Sequence, residues 1–166
     1  MKKVIGITGG IATGKSVVTS YLRAHGYEVI DADVVVRELQ EVGGALYIAI
    51  RDTFGEAYFL ENGDLDRAKF GALIFSDAEA RAKLSAVQDD IIRTELFKRC
   101  ANSRLELVFM DIPLLFERAY TGFDETWLVY APQDVQLKRL MKRNDLSESE
   151  LCYASKHKCL LMRNAV

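Results

Sequence analysis

The sequence predicts an α/β protein built on a parallel sheet, and three observations carry that expectation. Apolar runs of strand length alternate with helix-length amphipathic segments from the first to the last part of the chain. The first run, Val4-Ile5-Gly6-Ile7-Thr8, is apolar on both alternating sets of positions, as a strand covered on both faces requires. It leads directly into Gly9-Gly10-Ile11-Ala12-Thr13-Gly14-Lys15-Ser16 and then Val17-Val18-Thr19-Ser20-Tyr21-Leu22. Strand, glycine-rich turn and helix with the spacing G-x-x-x-x-G-K-S make a phosphate-binding loop. The fold expected is that of the P-loop NTPases, with four visible parallel strands flanked by helices.

Taken in order, the first strand covers residues 3–8 and a helix covers 15–25, closed by Gly26 as the residue past its C-cap. The second strand, near 28–32, ends in Asp31-Ala32-Asp33. A short helix from Val34 to Gln40 is broken by Gly43-Gly44, and another spans 45–54. Glu61-Asn62-Gly63-Asp64 is a turn, and Leu65-Asp66-Arg67 leads into a helix through Phe75. Ser76-Asp77-Ala78-Glu79 reads as a capping box that starts a helix at Asp77. Leu84, Val87, Ile91, Ile92, Leu96 and Phe97, at three- and four-residue steps, carry that helix to about Cys100.

Leu105 to Asp111 is the third strand, ending in a carboxylate. Pro113 then imposes a loop, Leu114-Leu115-Phe116-Glu117. Residues 126–130 form the fourth strand, with Trp127 expected in the core. Pro132-Gln133 opens a helix to about Asn144, and Ser147 to Glu150 is a second capping box. The chain reads as a single domain over 1–166, with a helical insertion at about 34–102 and a lid at about 133–150.

Composition bounds the function. The 166 residues suit one domain and can bury a real core. With 49% hydrophobic and 28% charged residues the chain reads as globular, and a formal net charge of -2 gives no basic field to draw it to nucleic acid or a membrane. No apolar run approaches a membrane span or a signal-peptide core, so the cytoplasm is expected. Three scattered cysteines, Cys100, Cys152 and Cys159, argue against a disulfide framework, and Cys152-His157-Cys159 fits no common zinc spacing. A monomer or weak homo-oligomer is expected.

The chemistry follows from the loop. Glycines let successive backbone N–H groups point inward as an anion nest, and the helix beginning near Gly14 adds its positive dipole end. Gly9 to Ser16 and the adjoining Val17 are therefore the expected ATP-binding residues. Lys15 supplies a cation for the outer phosphates and the Ser16 hydroxyl a ligand for Mg²⁺. Parallel sheets bind ligands beyond the carboxyl ends of their strands, where Asp31, Asp33 and Asp111 also lie. Phosphoryl transfer needs a carboxylate to orient or deprotonate the acceptor hydroxyl, and Asp33 is the choice for it. The competing use of Asp33 is to cap the helix at Val34. Asp31 could hold Mg²⁺ through water, and Asp111 either associates with metal or is a solvated turn residue. Lys138, Arg139, Lys142 and Arg143 share one helix, either as a solvated face or as a clamp on triphosphate. For that clamp Arg139 or Arg143 is the better fork. Leu114, Leu115 and Phe116 either pack the next helix or wall a substrate's ring. Arg67 alone reads as a solvated surface cation.

Several of these segments together resemble the dephospho-coenzyme A kinase family. The resemblance lies in Ile5 to Ser16, Asp31-Ala32-Asp33 with Arg37, Phe54-Gly55, Leu65-Asp66-Arg67, Ile74-Phe75, Pro113-Leu114-Leu115-Phe116-Glu117, and Gln136 with Arg139 and Arg143. It implies transfer of the ATP γ-phosphoryl group to the ribose 3′-hydroxyl of dephospho-CoA, the last step of coenzyme A biosynthesis, with Mg²⁺. On the resemblance Asp33 is the general base, with Lys15 and Arg139 beside it in catalysis and Arg143 on the nucleotide. Thr8, Asp31, Asp33, Arg67, Pro113, Leu114, Leu115 and Glu117 contact the acceptor. The residues between strands two and three resemble the family's acceptor-binding subdomain, and the basic helix its lid. Three departures stand out. Ala12 replaces a glycine, read as mild because alanine is small. The family's His-Pro pair in the long helix is Asp89-Asp90 here. After about Glu150 the family continues with more lid, a strand and a helix, whereas this chain runs from Leu151 to Val166 in another pattern and reads as truncated, with an open edge at the fourth strand. Two other readings are another small nucleoside or nucleotide kinase, and a nucleotide-binding remnant without turnover.

Overall fold

Four parallel strands form one sheet, with helices on both of its faces. A computed structural model describes the backbone of residues 2–144 and the side chains of residues 2–142. In chain order the elements are β1 (Lys3–Thr8), α1 (Lys15–Ala24), β2 (Glu28–Asp31), α2 (Ala32–Leu39), α3 (Ala45–Phe54), a 3₁₀ turn (Glu56–Tyr58), α4 (Arg67–Ser76), α5 (Ala78–Asn102), β3 (Leu107–Asp111), β4 (Glu125–Leu128) and α6 (Gln133–Asn144). The strands lie in the order β2-β3-β1-β4 and every pair is parallel. Ile7 and Asp31 each stand in register with Asp111, so β1, β2 and β3 end at one edge.

Strand periodicity divides the core in two. Val108 and Met110 face the helical excursion and join Ile30, Val35, Leu46, Ile50, Leu84, Ile92 and Leu96. Phe109 points the other way and meets Ile5, Ile7 and Leu22 under α1. The 25-residue α5, about 37 Å long at helical rise, packs against α2, α3 and α4. Lys2 anchors its far end, donating to the carbonyls of Cys100 (2.7 Å), Ala101 (2.9 Å) and Ser103 (2.7 Å).

Several boundaries differ from expectation for identifiable reasons. β2 stops at Asp31 because Asp31 caps α2, which therefore begins two residues before Val34. β3 starts at Leu107 rather than 105, because α5 runs to Asn102 and the intervening residues reverse the chain. In that reversal Ser103 Oγ accepts from Leu105 N at 3.1 Å. β4 spans 125–128 rather than 126–130, although Val129 N still donates to Thr8 O at 2.8 Å. Trp127 is not a core residue. It is 39% exposed, since β4 pairs with β1 alone among the described residues. One face of its ring lies against Phe109, with centroids 5.3 Å apart. The second capping box, the lid beyond Asn144, and Cys152, His157 and Cys159 fall outside the described residues.

The α5 cap is also reassigned. Asp77 Oδ1 accepts from the amides of Glu79 (2.8 Å) and Ala80 (3.1 Å). Ser76 Oγ turns back to the carbonyl of Ala72 at 2.9 Å, closing α4 instead. Asp77→Ala is accordingly expected to destabilise the fold by about 1 kcal/mol, as loss of an N-cap does. Ser76→Ala should stay within about 0.5 kcal/mol, as an exposed substitution does. Urea unfolding of both variants separates the two roles; equal losses would count against Asp77 as the cap.

Candidate active site

The turn between β1 and α1 is shaped by three backbone demands. Gly9 has no room for a side chain: a Cβ there would stand 2.6 Å from Val129 O and 2.9 Å from Thr13 Oγ1. Gly14 is the N-cap of α1 in a left-handed conformation, with φ 101°. Ala12 is also left-handed, with φ 57°. Small size is therefore not what matters at this position. An L-residue there carries about 1–2 kcal/mol that glycine would not. Thr13 Oγ1 donates to Gly10 O at 2.9 Å and steadies the bend. No side chain caps α1. Its first N–H groups, which lack intrahelical acceptors, are thus left for an anion. Arg139, from α6, braces the turn by donating through Nη1 to Ala12 O (3.1 Å) and Thr13 O (2.9 Å).

Lys15 Nζ forms an ion pair with Asp111 Oδ1, the two side chains being 18% and 7% exposed. Burial is the strongest influence on Asp111 and pushes its carboxyl above the ordinary 3.8. The Lys15 ammonium draws it back down, while the nearby carboxylates of Asp31 and Asp33 push it up. The three acidic residues thus stand at one edge of the sheet. Their gathering follows from parallel register, because Asp31 and Asp111 end adjacent strands side by side.

Asp31 and Asp33 have separate tasks. Asp31 Oδ1 accepts from the amides of Asp33 (3.0 Å) and Val34 (3.3 Å), and its Oδ2 lies 3.5 Å from Arg23 Nη2. It is the cap that sequence reasoning weighed for Asp33. Asp33 stands exposed in the first turn of α2, and its carboxylate has no hydrogen-bond partner among the described residues.

The segment after β3 borders this cluster. Thr8, 3% exposed, donates through Oγ1 to Pro113 O at 3.2 Å. Leu115 is 2% exposed and belongs to the core, above Gly6, where a Cβ would meet its Cδ1 at 2.7 Å. It packs rather than walls a substrate. Leu114 and Phe116 are the outward-facing apolar residues, at 47% and 60% exposure, and Glu117 is exposed beside them. Ser16 and Val17 are exposed on α1. Arg67 is exposed at the start of α4 and donates to Gln40 Oε1 at 2.6 Å, with no contact to the loop or the carboxylates. The Arg143 side chain lies outside the described residues. Sequence reasoning missed the Lys15–Asp111 pair, which was open to reading from two strand ends in register.

The family model described as dephospho-CoA kinase (CoaE) matches residues 3–159. A dephospho-CoA kinase of Lactococcus lactis is 50% identical over 170 aligned residues, covering 89% of this chain and 78% of that protein. One from Streptococcus pneumoniae is 50% identical over 153 residues, covering 90% and 76%. Among solved structures, a Thermus thermophilus protein superposes with a TM-score of 0.77 at 35% identity, over 94% of this chain and 80% of that one. The dephospho-CoA kinase of Campylobacter jejuni superposes with a TM-score of 0.64 at 24% identity, over 99% and 84%, a likeness of fold. With a matching family model over most of its length and relatives at half identity, the chain belongs to the dephospho-CoA kinase family.

Proposed function

We propose that this chain transfers the γ-phosphoryl group of ATP to the ribose 3′-hydroxyl of dephospho-CoA, completing coenzyme A. The observation that carries the reading is one sheet edge. There the uncapped N-terminus of α1, the Lys15–Asp111 pair and the unpartnered Asp33 carboxylate come together.

Backbone N–H groups at the start of α1 hold the phosphates. Lys15 exchanges Asp111 for the outer phosphate oxygens, which carry more charge and accept its three donors. Asp33 accepts the proton of the attacking hydroxyl; its exposure and its place on the edge suit a group that must meet an incoming acceptor. Arg139, already against the loop, steadies charge on the group in transit. The Ser16 hydroxyl and one of the gathered carboxylates fit Mg²⁺, which takes few protein ligands and completes its shell with phosphate and water. Such an ion would neutralise negative charge on the phosphates.

In this reading residues 34–102 bind the acceptor and the basic helix from 133 onward acts as a lid. Thr8, Pro113, Leu114 and Glu117 border the acceptor, Arg67 meets it once α4 approaches, and Arg143 joins Arg139 on the nucleotide. No helix among the described residues is long and apolar enough to cross a membrane. The cytoplasm, and a monomer or weak homo-oligomer with no nucleic-acid partner, complete the proposal.

A coupled ADP-release assay with dephospho-CoA against a panel of nucleosides tests the activity; turnover confined to a nucleoside would overturn it. Asp33→Asn should lower kcat by about 10²–10⁴-fold, the reach of general base catalysis. ATP affinity by calorimetry should change by less than about threefold, because the base acts only in the transition state. Parallel loss of both would remove Asp33 from that role. Arg139→Lys should lower kcat about tenfold or more, because a point charge does not replace a planar fork; a neutral outcome would leave Arg139 only the bracing of the loop.

A further inference from the structure

The segment from Ile112 to Tyr120 is pinned at two distant places. At its start Ile112 N donates to Ile7 O at 2.9 Å and Pro113 O accepts from Thr8, so it is tied to the end of β1 and thus to the phosphate loop. At its end Arg118 forms an ion pair with Asp89 of α5 and donates to Ser85 Oγ at 2.8 Å. Ser85 Oγ in turn donates to Asp89 Oδ2 at 3.2 Å. Arg93, one turn further along α5, donates to Arg118 O at 3.0 Å and stacks over the Tyr120 ring at 4.7 Å. Between the pins the chain is coiled tight. Arg118 N reaches Leu114 O and Tyr120 N reaches Leu115 O, each at 3.0 Å, and Ala119 is left-handed at φ 47°.

The geometry points to Asp89 and Arg118 as positioning residues: their ion pair fixes the 112–120 segment to α5 and so holds Leu114, Phe116 and Glu117 at the acceptor side of the site. This rests on the proposed kinase reading for the identity of the acceptor. Stability alone does not explain the arrangement. The two side chains are 27% and 38% exposed, and partly exposed pairs add little to folding. What they supply is direction. Arg118 places one nitrogen, Nη1, against two acceptors four residues apart, on successive turns of one helix face. The segment can then shift only if α5 shifts with it.

The test uses the full chain, with Asp89→Ala, Arg118→Ala and the exchanged pair Asp89→Arg/Arg118→Asp. Without any ligand, amide hydrogen exchange at residues 118–120 should quicken about tenfold or more in either single variant, as loss of a charged hydrogen bond implies. The midpoint of thermal unfolding should move by no more than about 2–4 °C. KM for dephospho-CoA should rise about tenfold while KM for ATP stays within about twofold, and the exchanged pair should recover much of the loss. Unchanged exchange, equal loss toward both substrates, or no recovery on exchange would each overturn the positioning role. Failure of the unsubstituted chain to bind or phosphorylate dephospho-CoA would instead sink the kinase reading, while the exchange measurement would still decide whether Asp89 holds the segment.

Discussion

The ion pair between Lys15 and Asp111 concentrates the constraints of this molecule. A lysine on the first turn of α1 and an aspartate at the end of β3 meet only if β1 and β3 run parallel and in one register, because Lys15 leaves the sheet where β1 ends. Once Ile7 lies beside Asp111, every strand-to-helix turn opens on one side of the sheet. The loop, Asp31 and Asp33 follow without further instruction. Removing either charge would leave the other nearly buried and unpaired, which costs more than the pair contributes. The interaction thus specifies geometry more than it adds stability.

Charge at this edge is balanced but poorly dispersed. Three carboxylates share a small region, and one of them is held above its ordinary range by burial. The compensating positive charge comes from Lys15, from Arg23 near Asp31, and from the amino ends of α1 and α2. Asp31 uses its oxygens on its own helix and on Arg23, so it contributes structure. Asp33, two residues later, inherits the same electrostatic setting without those bonds. Its oxygens make no hydrogen bond among the described residues, whereas both of those on Asp31 are engaged. The cap and the unbonded carboxylate are therefore a division of labour between neighbours.

Much of this was legible in the sequence because the signals are local. A glycine spacing, a double-sided apolar run and a carboxylate at a strand end each declare themselves within ten residues, and they located the loop, the sheet and the acidic edge. What stayed hidden depends on contacts far apart in the chain or on backbone angles. Ala12 looked harmless by volume, yet its cost lies in φ. Trp127 looked like core because a strand of Thr, Trp and Leu usually is, but edge position overrides composition. Arg67 is a solvent-facing cation whose partner, Gln40, lies 27 residues away, a contact that no local signal announces. Asp89 registered only as a lost histidine; its partner Arg118 is 29 residues away and nothing short-range links them.

The loop's shape is itself maintained from a distance. Ala12 holds a conformation that alanine disfavours by about 1–2 kcal/mol, and such a residue stays put only where its surroundings over-determine it. Here they do so from two directions. Thr13 closes the bend on Gly10 from within, and Arg139 donates to the carbonyls of Ala12 and Thr13 from outside. Gly14 accommodates that guanidinium, since a Cβ there would stand 3.3 Å from Arg139 Nη1. The last glycine of the motif therefore serves α1 as a left-handed cap and α6 as a landing place. Helix and loop constrain each other, so a change in where α6 sits alters the support of the backbone that faces the phosphates.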